Sequence, residues 1–136
     1  MKITVDINAP KVFKRLDEVI KTKVQFAFDN QVMKDSNYYA PMDTGTLMAS
    51  VITGYSSGMT EAKARGILQS GEPAKHAGKG KLIWNTPYAK RMYYGEGYDF
   101  SKDSNTNARA KWFEEAKAKK KGVWQDVLNK AVEAWK

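Results

Sequence analysis

Apolar and polar residues alternate at the start of the chain and then change to a helical period. Ile3, Val5 and Ile7 are separated by polar residues, which predicts a half-buried strand over residues 3–7. From Lys11 to about Met33, apolar residues recur every three or four positions, as in an amphipathic helix. The predicted apolar stripe of this long helix consists of Val12, Leu16, Val19, Ile20, Val24, Ala27 and Phe28, with Phe26 beside it.

The next segment has weaker periodicity and several residues that end or begin helices. Residues 35–37 are polar and predict the end of the long helix. Pro41 then disfavours helical geometry in the residue before it. Asp43 or Thr44 is a candidate cap for a short helix over residues 47–50.

The centre of the chain predicts strands separated by glycine-containing turns. Residues 51–55 include the β-branched Val51, Ile52 and Thr53 and the aromatic Tyr55, which predicts a strand followed by a turn at 57–58. Residues 61–69 fit either a second strand or a helix, and their pattern does not decide between the two. Residues 71–81 contain three glycines and no bulky apolar side chain, so we expect a mobile hairpin loop.

An aromatic stretch over residues 82–95 follows that loop and organises the rest of the chain. Its apolar start predicts a central strand, which Pro87 ends. Residues 88–93 can make one or two helical turns before Gly95 stops them. This arrangement gathers four aromatic side chains at one corner, either as a folding anchor or as a contact surface, and they are Trp84, Tyr88, Tyr93 and Tyr94.

The end of the chain returns to a helical pattern. Residues 103–107 predict a loop with helix-capping side chains, and a helix begins near Ala108. Gly122 follows a run of lysines and predicts either a hinge or a softened point in this helix. Trp124 and Trp135 would pack on the core or add to a subunit contact.

Composition places these elements in one domain. The chain has 136 residues, 42% of them hydrophobic, which suits one compact domain with a single core. The sequence contains no cysteine, so it offers no disulfide and no thiolate ligand. No 18-residue apolar window is present, so we expect no membrane span.

Candidate catalytic and metal-binding patterns are incomplete in this sequence. The Gly-Lys pairs at 78–81 lack the remaining residues of a phosphate-binding loop. His76 is the only histidine and lies in the glycine-rich segment. Asp103, Asn105, Asn107 and Glu114 have the spacing of calcium ligands, but Ala108 stands where that loop needs glycine. We therefore expect no enzymatic activity and no cofactor.

The net charge of +8 suggests an acidic partner without identifying it. One group of cations has no acid between its members and comprises Lys79, Lys81, Lys90 and Arg91. A second group follows Glu114 and Glu115 and comprises Lys117, Lys119, Lys120 and Lys121. A solvated surface, a nucleic acid and an acidic protein all remain compatible with this charge.

Several segments together resemble a known family. In chain order they are residues 39–47 (YAPMDTGTL), 83–89 (IWNTPYA), 93–95 (YYG), 107–108 (NA) and 112–114 (WFE). This succession resembles the minor capsid, or head–tail joining, proteins of tailed bacteriophages. The resemblance covers most of the chain from residue 39 onward, whereas the N-terminal helix matches only in character.

The resemblance implies an α+β fold, in which a small antiparallel β-sheet packs against a long N-terminal helix and a C-terminal helix. It also implies a virion protein made in the bacterial host cytoplasm. It implies a hexameric or dodecameric ring at the neck, between a portal or head-closure protein and a tail-terminator or tail-tube protein, with DNA passing through the lumen. Under this hypothesis the residues that hold the fold are Pro41, Gly45, Leu47, Trp84, Pro87, Tyr88, Gly95 and Trp112. The candidate assembly contacts are Lys75, Lys79, Lys81, Lys90, Arg91, Tyr93 and Tyr94, with residues 71–81 becoming ordered on assembly.

Two alternatives stay open at this point. The same lysines, with Trp84, Tyr93 and Tyr94 as stacking platforms, would suit a small nucleic-acid-binding protein. A toxin or inhibitor that acts on an acidic protein also fits the composition.

Overall fold

The computed structural model describes residues 2–6, 18–41, 45–95 and 108–135, which form one α+β domain. Its elements in chain order are β1 (Lys2–Asp6), α1 (Glu18–Tyr38), α2 (Thr46–Thr53), α3 (Glu61–Gln69), β2 (Lys81–Asn85), α4 (Ala89–Tyr94) and α5 (Trp112–Trp135).

The two strands form an antiparallel sheet whose inner face is apolar. Ile3 lies opposite Trp84, and Val5 lies opposite Leu82. Ile3, Leu82 and Trp84 are all buried, because alternate residues of a strand point to the same face. The predicted first strand and central strand are thereby confirmed.

The predicted α+β fold is confirmed, and its two long helices pack against each other. The rings of Phe28 and Trp124 meet edge to face with centroids 6.5 Å apart. The indole nitrogen of Trp124 also donates a 2.6 Å hydrogen bond to the Asp35 carboxylate. The buried apolar residues of this interface include Val24, Val32, Leu128 and Val132.

Two predictions for the first helix were wrong. Residues 35–37 do not end α1, which continues to Tyr38. The reason is that two of these side chains have partners inside the protein: Asp35 accepts a hydrogen bond from Trp124, and Asn37 donates one to the Met48 carbonyl. Val19 is 65% exposed and does not belong to the buried stripe. Val12 and Leu16 lie outside the described residues.

The predicted strand at 51–55 is also wrong, because α2 extends to Thr53. Val51 and Ile52 are buried on this helix, so burial rather than β propensity decides their conformation. The helix stops at Gly54, whose φ of 84° and whose N–H bond to the Ser50 carbonyl form a left-handed cap.

The undecided segment 61–69 is helix α3. Thr60 caps it by accepting a 3.1 Å hydrogen bond from the Lys63 amide. Glu61 and Arg65 form a 2.7 Å ion pair one turn apart on its exposed side. Gly58 has a φ of 72° in the turn before it, which confirms the turn predicted at 57–58.

Helix α5 runs through Gly122 without a break, so the predicted hinge is wrong. One internal glycine costs a helix about 1 kcal/mol relative to alanine. Packing of α5 along α1 on both sides of Gly122, through Trp124 and Leu128 on one side and Ala116 on the other, offsets that cost.

Candidate functional site

Three buried aromatic rings form a cluster in the core, which we call the aromatic corner: Trp84, Tyr93 and Trp112. The centroids of Trp84 and Trp112 are 5.9 Å apart, and those of Tyr93 and Trp112 are 4.7 Å apart. Both pairs are nearly perpendicular, the edge-to-face geometry that aromatic quadrupoles favour. All three side chains are at most 3% exposed.

Polar contacts join this corner to two distant segments. The indole N–H of Trp84 donates a 2.9 Å hydrogen bond to the Asn37 side chain on α1. The backbone N–H of Arg109 donates to the Tyr39 carbonyl, and that of Lys111 donates to the Tyr93 carbonyl at 2.8 Å. The corner therefore connects α1, β2, α4 and the start of α5.

Seven of the eight predicted fold-holding residues are buried or half-buried, and Pro87 is the exception. Trp84, Leu47 and Trp112 are buried in the core, and Pro41, Gly45 and Gly95 are buried as well. Tyr88 is half-buried and packs against the core. Pro87 is exposed at the end of β2, so its position fits the ending of a strand rather than packing.

Tyr93 lies inside the protein and not on the predicted contact surface. It is 3% exposed, and its hydroxyl donates a short hydrogen bond to the Glu114 carboxylate. Burial raises the pKa of Tyr93, and the bond to Glu114 and its negative charge raise it further. Helical periodicity explains the difference, since Tyr93 shares the inner side of α4 with Ala89.

The outer side of α4 is cationic and aromatic. Lys90 and Arg91 are exposed there, and Tyr94 is 58% exposed. We call these three residues the α4 cationic face. The sequence contains no Asp or Glu between Glu72 and Glu96, so no acid from this stretch offsets their charge.

The other predicted contact lysines form a separate group. Lys75 and Lys79 are exposed in the segment before β2, and Lys81 is the half-buried first residue of that strand. The α4 cationic face follows the last residue of the same strand. The five cations of the prediction are therefore divided between the two ends of β2.

A buried carboxylate holds the segment before β2, and the sequence did not reveal it. Asp29 on α1 is fully buried and accepts a 2.6 Å hydrogen bond from the Gln25 side chain. Its second oxygen accepts hydrogen bonds from the backbone N–H groups of Gly78 and Gly80, at 2.9 and 3.0 Å. Burial raises the pKa of Asp29, and these three hydrogen bonds act in the opposite direction.

Two further contacts hold the same segment, residues 74–80, which we call the strap. The Asn30 side chain accepts a 2.9 Å hydrogen bond from the Ala74 amide, and the Val51 carbonyl accepts one from the Lys75 amide. These bonds form within one chain, and they weigh against our prediction that the segment orders only on assembly.

The signal that sequence reasoning missed is the polar pair one helical turn apart. Gln25 and Asp29 would ordinarily indicate a solvent-facing side of an amphipathic helix. A glycine-rich segment, however, carries backbone N–H groups that need acceptors, and a buried carboxylate can satisfy two of them.

No metal site or membrane span emerges from the described ranges. They contain no group of three or more His, Asp or Glu side chains placed to hold a metal ion. None of the helices described has the length and apolarity that crossing a bilayer requires. Three of the residues with calcium-ligand spacing, Asp103, Asn105 and Asn107, lie outside these ranges.

Comparison with known protein families, with characterised proteins and with solved structures finds no match for this chain.

Proposed function

We propose that this chain is a structural virion protein of a tailed bacteriophage, which forms a ring at the neck and joins the tail to the head. The observation that carries the proposal is the convergence of the resembling segments. Trp84 of segment 83–89, Tyr93 of segment 93–95 and Trp112 of segment 112–114 pack together in the aromatic corner, although these segments are distant in sequence. Segment 39–47 is joined to the residues before α5 by the hydrogen bond from the Arg109 amide to the Tyr39 carbonyl.

This convergence supports the proposal because it gives the segments one shared role. The resembling residues maintain a compact interior, while the surfaces around them stay free to contact other subunits. Tyrosine and arginine are enriched in the centres of protein interfaces. The α4 cationic face combines both with Lys90, and we assign it to the contact with a neighbouring copy.

The test is the mass of the purified protein in solution, measured by sedimentation velocity across protein and salt concentration, with and without short duplex DNA. We expect a closed oligomer of one size whose mass does not depend on DNA. A monomer at every concentration that binds DNA with a steep salt dependence would overturn the proposal.

A charge-reversal pair tests the assigned surface separately. The double variant Lys90→Glu/Arg91→Glu lowers the net charge of α4 by four units, and we expect it to dissociate the oligomer. Lys117→Glu/Lys121→Glu makes the same charge change on exposed positions of α5 and serves as the control. Equal dissociation by both variants would mean that net charge, and not the α4 cationic face, controls assembly.

A second candidate function is nucleic-acid binding, which the α4 cationic face also favours. Exposed aromatic and basic side chains on one surface stack on bases and contact phosphates in single-strand-binding proteins. Of the three stacking platforms considered, Trp84 and Tyr93 are buried, so only Tyr94 is available. This function predicts single-stranded DNA binding that weakens steeply with salt and that Tyr94→Ala reduces.

A further inference from the structure

The strap is attached to the domain mainly through backbone hydrogen bonds. Ala74 is its only fully buried side chain, and Ala77 packs partly against the core. The remaining side chains of the strap are exposed or half-buried. Apolar burial therefore contributes little to holding the strap in place.

Asp29 supplies the two anchors nearest to β2. Its carboxylate accepts from the amides of Gly78 and Gly80, both of which have the left-handed backbone geometry that glycine adopts freely, with φ of 95° and 74°. These two amides converge on a single carboxylate oxygen. Charge-assisted bonds of this kind are about twice as strong as neutral ones.

The strap also covers part of α1. A methyl group added at Gly78 would lie 3.6 Å from the Thr22 side chain and 3.8 Å from Phe26. Phe26 is already 43% exposed with the strap in place. Movement of the strap would uncover more of Phe26 together with the Asp29 carboxylate.

We propose that residues 74–80 form a latched strap and that Asp29 is the latch. When its bonds to Gly78 and Gly80 break, the strap opens as a unit and uncovers the Asp29–Phe26 side of α1, while the helices and the aromatic corner stay folded. The inference is independent of the proposed function, because it concerns contacts within a single chain.

Native-state hydrogen exchange of the unmodified protein, followed by NMR at low denaturant concentrations, tests whether the strap opens as one unit. We expect the Gly78 and Gly80 amides to exchange together, at least ~10-fold faster than the Val32 amide in the core of α1. Exchange of all three amides at one rate, with one denaturant dependence, would overturn the proposal.

Variants at two aspartates of α1 test the latch. Asp29→Ala removes the acceptor of both amides, and we expect their exchange to become roughly 10- to 100-fold faster. Asp29→Asn retains an uncharged acceptor oxygen and should have a smaller effect. Asp35→Ala is the control, because Asp35 bonds to Trp124 on α5 and not to the strap.

Two results would reject Asp29 as the latch. One is unchanged exchange at Gly78 and Gly80 in Asp29→Ala, and the other is an equal acceleration in Asp35→Ala after correction for global stability. If Asp29→Ala fails to fold, Asn30→Ala provides the second variant. It removes only the Ala74 anchor, and it should accelerate exchange at Ala74 more than at Val32.

Discussion

The aromatic corner and the strap are held to the same domain by different means. In the corner, Trp84, Tyr93 and Trp112 are large, buried and in mutual edge-to-face contact. In the strap, small residues present backbone amides to side-chain oxygens of α1. The corner is stabilised mainly by burial of apolar area, whereas the strap depends on hydrogen bonds whose net contribution is small.

This difference predicts two kinds of stability in one molecule. Removing a ring from the corner should unfold the whole domain at lower denaturant concentration. Removing an anchor from the strap should release a local segment and leave the global transition almost unchanged.

The largest expected effect is that of Trp84→Ala. Truncating a buried tryptophan costs roughly 3–5 kcal/mol, through lost burial and the cavity that remains. We expect a correspondingly lower urea midpoint, measured by circular dichroism, with Asp29→Ala changing the midpoint far less. A larger shift of the urea midpoint in Asp29→Ala than in Trp84→Ala would contradict the proposed difference between the two regions.

A smaller effect distinguishes the two tryptophans of the corner. Trp84 donates a hydrogen bond to Asn37, whereas the buried indole nitrogen of Trp112 has no hydrogen-bond partner among the described residues. We therefore expect Trp84→Phe to cost about 1–2 kcal/mol more than Trp112→Phe in urea unfolding. An equal cost for both variants would show that this hydrogen bond contributes nothing measurable.

The smallest expected effect is a pH dependence that arises from Tyr93. Because folding raises its pKa above the ordinary value of 10.0, the unfolded state loses this proton first as the pH rises. The contribution of Tyr93 to the free energy of unfolding is therefore complete below pH 10.0 and decreases above it.

Urea unfolding from about pH 8 to about pH 11 measures this contribution. We expect the stability of Tyr93→Phe to fall less over that range than the stability of the unmodified protein. Tyr94→Phe is the control, since Tyr94 is exposed, and it should follow the unmodified protein. If Tyr93→Phe and Tyr94→Phe have identical profiles, the buried hydroxyl does not influence the pH dependence.

The apolar pattern predicted the elements whose side chains supply the packing. Alternation predicted β1, a short apolar run predicted β2, and the aromatic stretch predicted that Trp84 and Tyr93 gather at one corner. The pattern failed at residues 51–55, because β-branched residues are also buried on short helices such as α2. It also did not show which side of α4 is internal, so Tyr93 was assigned to the surface.

The strap could not be predicted from the same signals. Its composition indicated a loop because it lacks bulky apolar residues, and nothing in that composition identifies an acceptor 49 residues away in sequence. From the sequence, Asp29 would be assigned to the exposed side of the helix because it is charged. Only the folded structure shows that it accepts hydrogen bonds from two glycine amides.

The pairing of β1 with β2 has a consequence for how the chain folds. Ile3 pairs with Trp84, and Asp35 bonds to Trp124 across 89 residues of sequence. Contacts between positions so far apart give a high contact order, which slows folding. On the ribosome the sheet cannot form until β2 has emerged, and the α1–α5 pair cannot form until α5 has emerged, so the early segments must stay soluble in the meantime.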